Sequence, residues 1–267
     1  MSIKLVASDL DGTLFGPDHL VGDRTVTAVN SLVERGIVMA AVTGRSWFGG
    51  VERATRTGAR LDWFIGSNGG HRSNLNTGEL EERLTFAAEV VARLRSELGP
   101  ALGSDDVGFG FEHSDGFVWT DTFLQMFPTS VDGGMRESYG AAAAPTDDDV
   151  GKIFVADPSV TTFDLLHLIK PHVPNDVHVT TSGGNFIEIT PPGADKGSAL
   201  ARLCNQLDIA ADEVIAFGDN HNDLTMLEWA GRGVAMANAV PETQAIADEI
   251  TASNADFGVA AVLETLL

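Results

Sequence analysis

Two carboxylates two residues apart, Asp9 and Asp11, close a short apolar stretch that contains Ile3, Leu5 and Val6, and Gly12-Thr13 follows at once. In an open α/β sheet the C-terminal end of a strand is where ligands bind, and a glycine there permits a sharp backbone change. Two acids so placed, on a turn with no arginine next to them in the chain, either repel or share a cation. An ordinary Asp/Gly turn is one reading. A calcium loop of EF-hand type fails, because the sixth and twelfth positions counted from Asp9 are Leu14 and Leu20 instead of Gly and Glu. The third reading is a nucleophilic aspartate held against Mg²⁺, with the second aspartate as general acid and base. The stretch alone leaves the first and third readings open.

Further groups of the same character recur down the chain. Thr43-Gly44-Arg45 ends the apolar run Ile37 to Val42, Asp195-Lys196-Gly197 opens a helical pattern, and Gly218-Asp219-Asn220-His221-Asn222-Asp223 ends another apolar run. Thr43 and Gly44 offer a hydroxyl and an unobstructed N–H to phosphate oxygens. Lys196, at a helix start where the dipole already favours anions, adds a mobile positive charge. Several acids without a His or Cys partner point to an oxygen-ligated ion such as Mg²⁺, and zinc is disfavoured.

The elements that must position these groups alternate. Asp23 is expected to cap a helix with Val26, Val29 and Val33 on its apolar stripe, ending at Gly36. Ile37 to Val42 reads as a strand buried on both faces, Ser46 to Thr57 as a helix, and Asp62 to Gly66 as a third strand. This rhythm predicts a doubly wound parallel sheet. It resumes at Asp195, with a helix to Leu207 and strands at Glu213 to Phe217 and Gly233 to Met236. The first strand is central in such a sheet and the fourth core strand lies beside it. Asp9, Asp11, Asp219 and Asp223 are therefore expected around one point, with Thr43 a strand away.

Between the two halves the rhythm changes. A hairpin is expected at His71 to Glu82, then a helix with Phe86, Val90, Leu94 and Leu98 ending at Gly99-Pro100. Short β-like pieces follow, with a weakly patterned stretch at 141–149, a strand at Lys152 to Val155, a helix at Pro158 to Lys170, and a hairpin turning at Ser182-Gly183-Gly184. The fold class is thus α/β, a Rossmann-like core of residues 1–82 and 191–267 with an inserted α+β domain at 83–190.

The chain has 267 residues and a net charge of −21, from 38 acidic and 17 basic residues. That field repels nucleic acid, and a small anionic substrate is admitted only where a metal and a few basic groups reverse the sign locally. The single cysteine, Cys204, lies in a helical pattern as a core residue and allows no intrachain disulfide. No signal-peptide pattern and no membrane-length apolar run is present, so a soluble cytoplasmic protein is expected. The absence of Gly-x-Gly-x-x-Gly after the first strand argues against a nucleotide-dependent oxidoreductase.

Asp9-Leu-Asp-Gly-Thr13, Thr43-Gly-Arg45, Asp195-Lys-Gly197 and Gly218-Asp-Asn-His-Asn-Asp223 resemble, in order, the four motifs of the haloacid dehalogenase superfamily. The large insertion is similar to the α/β cap of its Cof-type phosphatase branch. The resemblance implies a Mg²⁺-dependent phosphatase of small phosphorylated metabolites, sugar phosphates first. Asp9 would be the nucleophile and Asp11 the acid and base, with Thr43, Gly44 and Lys196 on the phosphoryl group. Asp9, Asp219 and the Asp11 carbonyl would ligate Mg²⁺. Asn222 would reach the phosphate or the metal's surroundings, with Asp223 supporting from behind. Arg45, Asn68 and Asn185 are the expected substrate contacts. A monomer or loose dimer is implied. Asn220 and Gln244 depart from the family pattern, where a glycine and a lysine are frequent. A phosphotransferase or mutase, and a non-catalytic metabolite-binding regulator, are the rival functions.

Overall fold

The computed structural model describes residues 2–127 and 147–267, so most of the weakly patterned stretch, 141–146, lies outside the described residues. Along the chain run β1 (Leu5–Ser8), α1 (Asp23–Glu34), β2 (Val38–Val42), α2 (Trp47–Thr55), β3 (Trp63–Gly66), β4 (His71–Asn74) and β5 (Glu79–Arg83). Next come α3 (Ala88–Leu102), β6 (Gly108–His113), β7 (Gly116–Trp119), α4 (Asp121–Met126), β8 (Lys152–Ala156), α5 (Thr162–Ile169), β9 (His178–Thr180) and β10 (Ile187–Thr190). The chain finishes with α6 (Lys196–Gln206), β11 (Val214–Gly218), α7 (Leu224–Trp229), β12 (Arg232–Ala235), α8 (Pro241–Ile246), β13 (Glu249–Ile250) and α9 (Gly258–Leu263).

It divides into two compact units, Met1–Glu82 with Asp195–Leu267, and Arg83–Ala194. The second boundary falls after Ala194 instead of after Thr190. The turn past β10 stays fastened to that strand, Ala194 N donating to Pro191 O at 2.9 Å and the Thr190 hydroxyl to Ala194 O.

In the first unit the sheet order is β13-β12-β11-β1-β2-β3-β4-β5. Pairing is parallel from β13 through β3 and antiparallel between β3 and β4. The two-residue alternation of strands sends β1 side chains into two cores. Val6 joins Val29, Leu32, Phe64, Phe217 and Val259 on one face, and Leu5 and Ala7 join Trp63, Leu200, Leu203 and Leu227 on the other. Helices therefore cover both faces, and strands buried on two sides read as unbroken apolar runs. Cys204 lies in the second of these cores, its thiol pushed up to about 12 by burial.

Some local expectations shift. In α1 the cap is Gly22, Asp23 is exposed within the first turn, and the buried face is Thr25, Ala28, Val29 and Leu32. Val26 and Val33 are partly buried and pack against the same core as Val29. Helix α3 runs through Gly99-Pro100 to Leu102 and is closed by left-handed Gly103, and Phe86 lies before the helix. Helix α5 begins later than Pro158, because the Thr161 hydroxyl accepts from Asp164 N and caps it there.

The second unit has a sheet in the order β7-β6-β8-β10-β9, with neighbouring strands antiparallel. One face packs Phe109, Phe111, Ile153, Val155, Ile187 and Ile189 against Val91, Leu94, Leu98 and Leu165. The other carries stacked Phe117, Trp119 and Phe123 with Phe154, and a buried Lys152 lying 2.9 Å from Glu188 and 3.7 Å from Glu112. Phe109 and Phe111 are thus core residues, while Phe117 and Trp119 belong to the opposite face. His172 is exposed and His178 half-buried. No helix among the described residues is long and apolar enough to cross a membrane.

Candidate active site

The site is assembled at the C-terminal ends of β1 and β11. Asp9 continues the parallel ladder, its N–H donating to Phe217 O at 3.0 Å, and then the chain turns, with Leu14 N returning to Asp9 O at 3.2 Å. Polar side chains at these positions are buried although the strands before them are apolar: Asp9 is 6% exposed, Asp219 9% and Asp223 0%.

Lys196 opens α6, whose first turn is capped by Asp195 accepting from Ser198 N at 2.8 Å. Its side chain is fully buried, and Nζ donates to Asp9 Oδ1 at 2.7 Å and to Asp223 Oδ1 at 2.5 Å. The lysine is therefore a fixed charge clamped between two acids, not the mobile one expected. The other oxygen of Asp223 accepts from Asp219 N at 2.9 Å and Asn220 N at 3.0 Å. Asp223 thus holds both Lys196 and the loop that carries Asp219, and each of its oxygens is committed. The Thr13 hydroxyl donates to Asp219 Oδ1 at 2.7 Å, a contact that motif spacing did not reveal. Gly12 has φ 81° and lies so close that a Cβ there would stand 2.4 Å from Asp219 Oδ2.

Asp11 does not join this cluster. Arg45 reaches it from the loop after β2, Nη2 donating to Oδ1 at 2.6 Å and Nε to Oδ2, and His19 Nδ1 lies 3.4 Å from Oδ1. An arginine distant in the chain thus stands beside Asp11, and Arg45, expected as a substrate contact, pairs with that acid. The partners lie in the loops that follow adjacent strands, 34 positions apart in sequence, so local spacing could not show them together.

Thr43, at the end of β2, is 1% exposed and its Oγ1 accepts from Arg45 N at 3.2 Å; Gly44 beside it is half-buried. Asn222 Nδ2 donates to Asn68 Oδ1 at 3.0 Å, and both residues are buried. Asn68, expected to meet substrate, is 0% exposed and instead meets Asn222. Asn185 belongs to the second unit and is exposed. The two departures from the family pattern are structurally absorbed. Asn220 accepts from His221 N at 2.9 Å, and Gln244 Nε2 donates to Ala237 O at 3.0 Å.

The sequence model of the haloacid dehalogenase-like hydrolases matches residues 6–263. The chain belongs to that family. Among haloacid dehalogenase-like relatives, it is similar to the HMP-PP phosphatase of Enterobacter sp. (strain 638), 30% identical over 240 residues that cover 90% of this chain and 86% of the relative. A solved haloacid dehalogenase-like hydrolase from B. subtilis superposes with a TM-score of 0.80 at 26% identity, covering 99% of this chain and 100% of the other. A sugar phosphatase of HAD subclass IIB shares the fold, with a TM-score of 0.78 at 20% identity over 99% and 100% of the two chains.

The electrostatics of this haloacid dehalogenase-like site show a shortage of positive charge. Burial raises the Asp9 carboxyl well above its ordinary value; Lys196 pulls it down, and Asp223 and Asp219 push it up again. Asp219 is pushed up to about 7 by burial first and by the Asp223 charge next. Lys196 is driven upward by Asp223 and Asp9 in spite of its burial. One ammonium thus serves three acids whose oxygens lie within 4.8 Å of one another. Asp9 Oδ1 is bonded to Lys196 and Asp219 Oδ1 to Thr13. An all-oxygen donor set of this kind fits a hard divalent cation, with Asp9 and Asp219 as the side chains able to hold it and Asp223 behind them.

Proposed function

We propose that this hydrolase cleaves small phosphomonoesters, sugar phosphates first, through an aspartyl-phosphate on Asp9, with Mg²⁺ as the cation. The observation that carries the reading is the buried Asp9–Lys196–Asp223 line with Asp219 beside it. A solvated set of turns has no need to bury three acids around one lysine.

Asp9 Oδ2 forms the bond to phosphorus as the bond from phosphorus to the leaving oxygen breaks. Asp11 gives that oxygen a proton. Water then attacks the aspartyl-phosphate while Asp11 takes its proton, which restores Asp9 and frees phosphate. Lys196 keeps Asp9 oriented and supplies charge to the phosphoryl oxygens. Thr43, Gly44 and Asn222 provide the polar contacts that position them, which is most of what phosphoryl transfer asks of a protein. Arg45 holds Asp11 apart from the buried acids, on the water-facing side, until the leaving group arrives. When bound by Asp9, Asp219 and the Asp11 carbonyl, Mg²⁺ offsets the negative charge of the phosphoryl group.

Phosphate release from a panel of sugar phosphates, nucleotides and HMP-PP, with Mg²⁺ and with EDTA, tests the reading. Metal-dependent release that disappears in Asp9→Asn is expected. Release that survives Asp9→Asn overturns the mechanism, and a preference for HMP-PP overturns the sugar phosphate assignment alone.

A further inference from the structure

The turn between β3 and β4 carries backbone and polar costs that its local role does not explain. Ser67 and Asn68 adopt φ of 52° and 55°, the only adjacent pair of left-handed non-glycine residues among those described. Such a conformation is disfavoured for residues bearing Cβ. Asn68 is also completely buried, and its Nδ2 has no hydrogen-bond partner among the described residues. A buried donor left without a partner calls for a reason, and here it coincides with the strained backbone on one residue.

The same turn touches three parts of the site. Ser67 N donates to Arg45 O at 2.8 Å and Asn68 N to Thr43 O at 3.1 Å, bracketing Gly44. Asn68 Oδ1 accepts from Asn222 Nδ2 at 3.0 Å. Gly69, with φ 102°, approaches the cap of α6 so closely that a Cβ would lie 2.4 Å from Asp195 O. Strain concentrated where independent elements meet points to positioning.

We propose that Asn68 is a positioning residue for phosphoryl transfer. Its side-chain oxygen fixes which way round the Asn222 amide faces, and its N–H holds the Thr43 carbonyl, so both residues meet the phosphoryl group in set orientations. This rests on the phosphatase reading of the same site. Asn68 does not touch the substrate; it acts through Asn222 and Thr43. The competing explanation is that asparagine merely tolerates the left-handed turn, in which case glycine serves as well.

The test uses the full chain and four variants: Asn68→Gly, Asn68→Asp, Asn222→Ala, and Asn68→Gly combined with Asn222→Ala. Glycine relieves the backbone, so Asn68→Gly is expected to melt no lower than the parent while losing about tenfold or more in kcat. Asn68→Asp keeps the acceptor for Asn222 and tolerates the turn, and should recover most of that loss. In the Asn222→Ala background, Asn68→Gly should cost little more, because the partner through which it acts is gone. Unchanged kcat in Asn68→Gly, or losses that simply multiply in the double variant, would overturn the proposal. If the parent releases phosphate from no substrate, the phosphatase reading has failed separately. Calorimetric binding of inorganic phosphate with Mg²⁺ then decides: weaker binding in Asn68→Gly than in the parent supports positioning, and equal or no binding overturns it.

Discussion

A lysine with no exposed surface, bonded to two aspartates, cannot be replaced by an uncharged residue without leaving both carboxylates in a poor dielectric. Lys196→Met should therefore lower stability by about 3–5 kcal/mol at neutral pH in EDTA. The loss should shrink as the pH is lowered, because the Asp9 carboxyl, raised by burial, can take up a proton instead; urea midpoints at neutral and at lower pH check this. The parent carries a related signature. Because the Asp9 and Asp219 carboxyls are raised in the folded state, the native protein binds more protons than the unfolded chain between about pH 4 and 7. Stability of the metal-free protein should then fall as pH rises through that window, and saturating Mg²⁺ should remove the decline. A flat profile in EDTA would contradict the charge shortage described for the site. At this scale Asp9 and Asp219 stood out because polar residues interrupt apolar runs at strand ends, and Lys196 because it opens a helix. The Asp11–Arg45 pair and the Thr13–Asp219 bond did not. They depend on where side chains point after neighbouring strands have aligned, which a one-dimensional pattern does not carry.

The loop after β1 has room for the Asp219 carboxylate only because residue 12 lacks a Cβ. Gly12→Ala should displace Asp219 and force an unfavourable φ, with a loss of about 1–3 kcal/mol in stability. Mg²⁺ should also bind at least tenfold more weakly; a calorimetric titration against the parent gives the comparison. The order of strands and helices could be read because buried parallel strands and amphipathic helices have distinct periods. Their ends were less legible. Helix α3 passes through a Gly-Pro pair that looked like a stop, since Pro100 lies in the last turn and Gly103 supplies the actual ending. Strand β13 has two residues, Glu249 and Ile250, too few for any alternation to register. It forms because β12 presents an edge, a property of the sheet and not of those two residues.

Each unit of the molecule has its own apolar core, and only the first holds the acid cluster. Calorimetric unfolding should therefore resolve more than one transition, with Mg²⁺ raising the one assigned to the first unit and leaving the other in place. A single transition that moves as a whole would contradict independent cores. In the second unit, Lys152 is buried with Glu112 and Glu188, and Lys152→Met should lower that unit's transition alone. The connectivity of the first sheet also bears on how the protein is made. Leu5 pairs with Val214 across the centre of the sheet, and the whole of the second unit is translated between them. On the ribosome the nascent N-terminal strands wait, unable to complete their sheet, until residues beyond 214 emerge, whereas the intervening unit is continuous and can fold first. Exposed strands held in waiting are the species most prone to aggregate. Yield in cells should therefore respond more to translation speed and chaperone supply than the stability of the finished protein would suggest.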